Sequence, residues 1–184
     1  MNIQTFYFNP YRECTYIVTL PPTAESASGV CLIIDPGMYS PKEEARFAEY
    51  MSTHSLQPAA VLITHAHPDH ICGLDYVKRL YPDISVIDHR SDLKQSPYLR
   101  CEMLPTPGHK EDAVCFYFRD DNTLFSGDTL FMESVGRTDL PGGDSAQLAQ
   151  SIAMLTALPA ETVVYPGHGY PTTIGHEKEH NPYL

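Results

Sequence analysis

With 184 residues, 42% of them hydrophobic and 19% charged, the chain has room for one globular domain, 1–184, with a proper core. Its formal net charge of −11 argues against nucleic acid as a partner. No stretch is long and apolar enough to span a membrane, and "MNIQTFYFNPYRECTY" lacks the basic start and unbroken apolar core of a signal peptide, so a cytoplasmic protein is expected. Cys14, Cys31, Cys72, Cys101 and Cys115 are odd in number and show no C-x-x-C spacing, which reads as reduced thiols.

The first third predicts strands. "IQTFYF", "CTYIVTL" and "VCLIID" are rich in β-branched and aromatic residues, and a Pro/Ser/Gly stretch at 21–29 separates the last two. Ser40-Pro41-Lys42-Glu43 forms a capping box with proline at the first helical position, opening a helix to about His54. "AAVLIT" at 59–64 is a continuous apolar run, as expected of a strand buried on both faces. A helix over about 71–81 and a strand at 84–88 follow, then a mixed segment. "AVCFYF" and "TLFSGD" flank a polar turn at 119–122 and read as a hairpin. Asp144 caps a helix that aligns Leu148, Ile152 and Leu155, and "ETVVYPGHG" is a last strand running into a loop. Strands and helices in this order make an α/β chain in which helices cover sheet layers.

"THAHPDH" at 64–70 leaves the apolar run directly and contains His65, His67, Asp69 and His70. Neutral imidazole is the commonest protein metal ligand, and carboxylate is the usual oxygen donor to zinc. One short loop cannot fold all four donors around one ion, so further donors must come from elsewhere. His109 in "TPGH", Asp128 in "SGD" and His168 in "PGHG" each stand beside a glycine that lets the backbone approach closely. Five histidines and two aspartates suit two cations sharing a carboxylate and a solvent oxygen. "HEKEH" at 176–180 is formally H-E-x-x-H, but Pro182 follows at once and no downstream residue offers a third ligand. It reads as a charged surface turn.

The order His65-x-His67-x-Asp69-His70, then His109, Asp128 and His168, with "IIDPG" before and "VVYPGHG" after, resembles the metallo-β-lactamase superfamily over nearly the whole chain. The resemblance implies an αββα sandwich. It implies one metal site of His65, His67 and His109, a second of Asp69, His70 and His168, and Asp128 bridging them. Asp69 and Asp128 are then the catalytic carboxylates. Asp35 stands where the family places a carboxylate that orients the ligand loop. Two divalent ions are implied, zinc first, with iron or manganese as alternatives.

Two cations sharing a solvent oxygen supply a nucleophile and a Lewis acid at neutral pH, so hydrolysis is the expected chemistry. "ESVGRTDLPGGD" at 133–144 is similar to the glyoxalase II-like branch. A thioester fits because a thiolate, with a parent pKa near ~8.5, leaves without a general acid. Arg137 and Lys110 are candidates to hold a carboxylate on a small anionic thioester of the hydroxyacylglutathione type. The chain lacks that branch's helical C-terminal extension, and Lys110-Glu111-Asp112-Ala113 replaces a Thr-x-Gly-Ser type run. Both differences fall where a substrate is recognised. Two other readings stand beside thioester hydrolysis. One is a persulfide dioxygenase with a single iron on His65, His109 and Asp128; the other is a metal-binding module without turnover.

Overall fold

The computed structural model describes residues 1–22, 29–93 and 99–184, so most of the Pro/Ser/Gly stretch at 21–29 lies outside the described residues. Two compact units emerge: Met1–Ile63 with His67–Ile87, and Thr64–Ala66 with Asp88–Leu184.

The first unit is built on a five-stranded sheet in the order β1-β2-β3-β4-β5. β1 (Asn2–Phe8) and β2 (Glu13–Thr19) form an antiparallel hairpin whose tip, residues 9–12, turns through positive φ at Asn9 (51°) and Arg12 (56°). β3 (Val30–Ile34) runs antiparallel to β2, and β4 (Gln57–Leu62) and β5 (Ser85–Ile87) then add parallel strands. Parallel neighbours require crossovers, and helices provide them. α1 (Pro41–Thr53) connects β3 to β4 and starts at the expected capping box, with Ser40 and Glu43 bonded reciprocally. It buries Phe47 and Met51 against Phe6, Phe8, Ile17, Ile33 and Val61. Each such side chain contributes about 1.5–3 kcal/mol by leaving water.

The helix expected over 71–81 is present as α3 (Leu74–Leu80), separated from a short preceding helix, α2 (Pro68–Ile71). The break falls at Gly73, whose N–H donates to Pro36 O at 2.8 Å. A Cβ there would lie 2.8 Å from that same oxygen, so close backbone contact overrides continuous helix.

The second unit carries a sheet ordered β12-β11-β8-β7-β6 and a two-stranded ribbon. β6 (Glu102–Pro105), β7 (Val114–Phe118) and β8 (Thr123–Gly127) are antiparallel, with the expected hairpin turn between the last two. β9 (Leu130–Phe131) and β10 (Ser134–Val135) form the ribbon. α4 (Ser145–Thr156), capped by Asp144, buries Leu148, Ile152 and Leu155 as its periodicity predicts. β11 (Val163–Pro166) then returns parallel to β8, and β12 (Thr172–Thr173) pairs with it antiparallel.

The chain does not end in a surface turn. Residues 176–180 lie on α5 (Ile174–His180), which Thr173 caps and which buries Ile174 and Glu177. The expectation of a turn fails because Ile174 joins the core cluster with Leu155 and Val164, anchoring the segment as a helix. Among the described residues no helix is long and apolar enough to cross a membrane.

Candidate metal centre

In the first unit, the parallel pair β3 and β4 determines which donors meet. Ligands in such sheets gather at the carboxyl ends of the strands. Asp35 follows β3, held by its N–H to Leu62 O at 3.0 Å, and adopts φ 47°. His67 caps α2, and His70 on that helix is fully buried. His70 Nδ1 lies 2.9 Å from Asp35 Oδ2. A carboxylate only accepts, so Nδ1 carries the proton and Nε2 keeps its lone pair. That lone pair is directed toward Asp69, with Nε2 3.8 Å from Oδ2. The hairpin tip secures the ligand loop from outside: Asn9 Nδ2 donates to Asp69 O at 2.9 Å and to Gly37 O at 3.1 Å.

The second unit holds the other donors. Thr64 O accepts from Val114 N at 2.8 Å, and Thr64 Oγ1 contacts His65 Nδ1 at 3.1 Å. The His65 ring meets the His109 ring edge-on at 5.0 Å. His109 sits in the loop between β6 and β7, and its Nδ1–H donates to Arg137 O at 2.7 Å. Asp128 follows β8 and His168 follows β11, again at the ends of parallel neighbours. Asp128 Oδ2 lies 3.6 Å from His109 Nε2 and 3.6 Å from His168 Nε2.

Those distances are too long for direct hydrogen bonds. Two donors each about 2.1 Å from one tetrahedral ion stand about 3.4 Å apart, which is the spacing of co-ligands. The donor set therefore fits divalent metal: imidazole nitrogens fixed in tautomer by outer partners, and carboxylates between them.

Two glycines are required by close packing. A Cβ on Gly136 would lie 1.9 Å from Asp128 O and 2.9 Å from His109 Cβ, so only glycine lets the Arg137 carbonyl reach His109. Gly127, at φ 49°, would place a Cβ 2.4 Å from Thr64 Oγ1.

Lys110 and Arg137 are each already paired. Lys110 Nζ bonds to Asp112 Oδ1 at 3.1 Å, and the exposed Arg137 guanidinium grips Asp139 with two bonds of 2.7 Å. That grip holds the Asp139 carboxyl down at about 2. The Cys72 thiol donates to Gly37 O at 3.1 Å, and partial desolvation pushes it up to about 11. The H-E-x-x-H segment is helical, and its Glu177 is fully buried and hydrogen-bonded to Glu133, Thr172 and Asn181.

Sequence reasoning missed three contributors. Asp112 Oδ2 accepts the Ala66 N–H at 3.2 Å, in the middle of the His65-x-His67 turn. The Arg137 carbonyl carries no residue-type signature at all. Glu13 is buried beside Thr15, whose hydroxyl touches Asp35 O at 2.7 Å. Only the replacement of the usual small residues by Lys110–Asp112 gave a local signal.

Comparison with known proteins identifies the family and the fold. A model of the metallo-beta-lactamase superfamily matches residues 25–97 and 101–168. The probable metallo-hydrolase YqgX of Bacillus subtilis (strain 168) is 36% identical over 188 residues, covering 84% of this chain and 87% of its own. A hydroxyacylglutathione hydrolase of Francisella philomiragia is 34% identical over 137 residues, 67% of this chain and 54% of that enzyme, so the match spans about half of it. Among solved structures, TTHA1623 in a di-iron-bound form has a TM-score of 0.84 at 32% identity, covering 98% of this chain and 100% of that one. The chain belongs to the metallo-β-lactamase superfamily: it is a hydrolase with that family's mixed α/β fold of two sheets flanked by helices.

Proposed function

We propose that the chain hydrolyses small anionic thioesters of the hydroxyacylglutathione type, using two divalent metal ions. His65, His67 and His109 serve one ion, Asp69, His70 and His168 the other, and Asp128 is shared. The observation that carries this reading is the position of Asp128. Its Oδ2 stands at the same 3.6 Å from His109 and His168, the two histidines assigned to different ions. The likeness to a hydroxyacylglutathione hydrolase supports the thioester class.

When bound, the ions supply a nucleophile from water and polarise the thioester carbonyl. The chain's own residues orient that chemistry. Asp35 and the Arg137 carbonyl hold His70 and His109 in the tautomer that presents Nε2. The cations of Lys110 and Arg137 are already engaged by aspartates, so neither is a poised proton donor. A thiolate leaving group needs none. Both cations lie at the protein surface or near it, where a substrate carboxylate can exchange with Asp112 or Asp139.

The second reading, a single-iron persulfide dioxygenase, draws on a specific feature: His65, His109 and Asp128 lie in one unit and form a two-histidine, one-carboxylate set. The iron in the TTHA1623 structure supports attention to that metal. Metal content and turnover, measured together, separate the readings. Two zinc or mixed ions per chain with thioester hydrolysis are expected. One iron per chain, with oxygen consumed in the presence of glutathione persulfide and no thioester turnover, overturns hydrolysis in favour of the dioxygenase. Metal uptake without either turnover leaves a binding module.

A further inference from the structure

The segment "HEKEH" has no part in the proposed donor set, yet the first of its two glutamates, Glu177, is a fully buried carboxylate with three hydrogen-bond donors. Glu177 Oε2 accepts from the backbone N–H of Glu133 at 2.8 Å and from Asn181 Nδ2 at 2.7 Å. Its Oε1 accepts from the hydroxyl of Thr172. Asn181 Nδ2 spends its other proton on Ser134 O at 3.0 Å. Glu133 is held a second time through its side chain, with Oε1 2.9 Å from His176 Nε2. It is one of the few non-glycine residues at positive φ, 54°, a conformation that needs such anchoring.

What hangs from these anchor points is the donor set. Glu133 lies in the turn between β9 and β10, and Ser134 opens β10. Asp128 precedes that ribbon, and Gly136-Arg137, whose carbonyl orients His109, follows it. The two sides are tied by Gly136 N to Thr129 O at 3.3 Å. Thr172 stands four residues beyond His168, on the strand that closes the same loop. One buried carboxylate therefore fastens the segment carrying Asp128 to the segment carrying His168. A carboxylate suits this task because it accepts several N–H and O–H donors at once and donates none.

We infer that Glu177 is a positioning residue for the metal centre, setting the spacing at which His109 and His168 face Asp128. The inference rests on reading those three residues as metal donors, and it is independent of the substrate. The purified protein is titrated with Zn(II) against a chromophoric chelator, and its Co(II)-substituted form is recorded in the visible region. In Glu177→Ala, metal binding is expected to weaken by about 10–100-fold, the loss seen when outer partners of ligands are removed, and the Co(II) bands to shift. Glu177→Gln should restore both, since its carbonyl takes the Glu133 and Asn181 donors while its amide donates to the Thr172 hydroxyl, which also accepts. Leu155→Ala, a core truncation in the same unit, controls for lost stability: it should lower Tm and leave affinity and spectrum unchanged. Wild-type affinity and spectrum in Glu177→Ala overturn the inference, as does an equal loss in Leu155→Ala. If Glu177→Ala does not fold, Asn181→Ala removes the ties to Glu177 and Ser134 together while the carboxylate stays, and an unchanged affinity there overturns it equally. Wild-type protein that takes up no metal instead refutes the donor reading itself.

Discussion

The Thr15 hydroxyl lies 2.9 Å from Glu13 Oε2, which accepts from it. Thr15 has one proton. Glu13 Oε2 and Asp35 O, the latter at 2.7 Å, share that proton, while Gly37 N donates to the hydroxyl at 2.9 Å. Burial, the largest cause, pushes the Glu13 carboxyl well above the usual range; His70 opposes the shift and Asp35 reinforces it.

The consequence is a stability that depends on pH in a known direction. An acid whose folded pKa is raised keeps its proton while the unfolded chain releases it above about 4.3. Folding therefore becomes less favourable as pH rises through that point, by up to about 1.4 kcal/mol per pH unit, until the folded pKa is reached. Glu13→Gln keeps an acceptor for the Thr15 hydroxyl and cannot ionise. Denaturant unfolding of the metal-saturated proteins should show equal stabilities near pH 4 and a growing advantage for Glu13→Gln toward pH 7. Parallel curves for the two proteins would show that Glu13 is ionised.

Asp112 fastens the histidine turn from outside by accepting the Ala66 N–H. Asp112→Ala is expected to weaken metal binding by about 10–100-fold, as loss of an outer partner does. Asp112→Asn retains an acceptor for Ala66 and should lose much less. Chelator competition measures both, and equal affinities in all three proteins would remove Asp112 from the site.

Gly136 and Arg137 act through the backbone where the metal donors are concerned. Gly136→Ala brings a Cβ within 1.9 Å of Asp128 O, so metal content and hydrolysis should each fall at least tenfold. Arg137→Ala keeps the carbonyl that holds His109 and should leave metal content unchanged. Under the proposed function it raises KM for carboxylate-bearing thioesters more than for neutral ones. Steady-state kinetics beside metal analysis distinguishes the two effects, and metal loss in Arg137→Ala would contradict the backbone role.

Asp144 caps α4 by accepting from Ala146 N at 2.8 Å and Gln147 N at 3.0 Å. The Gln147 side-chain amide first, and these backbone donors with it, hold its carboxyl below the usual range. A depressed folded pKa gives stability that is present above the unfolded value of about 3.9 and lost as pH falls through the folded one. Asp144→Ala should lower Tm by roughly a few degrees at pH 7. The difference should narrow below about pH 3.5; a gap that stays constant down to pH 2 would mean the cap acts without its charge.

Asp128 is the shared carboxylate of the proposed centre, so Asp128→Asn should lower metal content and cut turnover by orders of magnitude. Two retained ions per chain with near-normal turnover would exclude bridging.

The sequence by itself determined whatever depends on local spacing. The capping box at Ser40, the Asp144 cap with Leu148, Ile152 and Leu155 behind it, and the donors that follow buried strands were legible because helix caps, periodicity and strand ends are properties of neighbouring residues. Only the tertiary structure decided how those donors are held. The Arg137 carbonyl that fixes His109 is a backbone atom, identical in every residue type, so no letter announces it. Glu177 stands in a segment that reads as a charged surface turn, yet it is buried, with a hydrogen-bond partner, Glu133, 44 residues away. The split at Gly73 follows from the same cause, since the oxygen that breaks the helix belongs to Pro36. Contacts between segments far apart in the chain leave no periodic trace in either one, and packing alone brings them together.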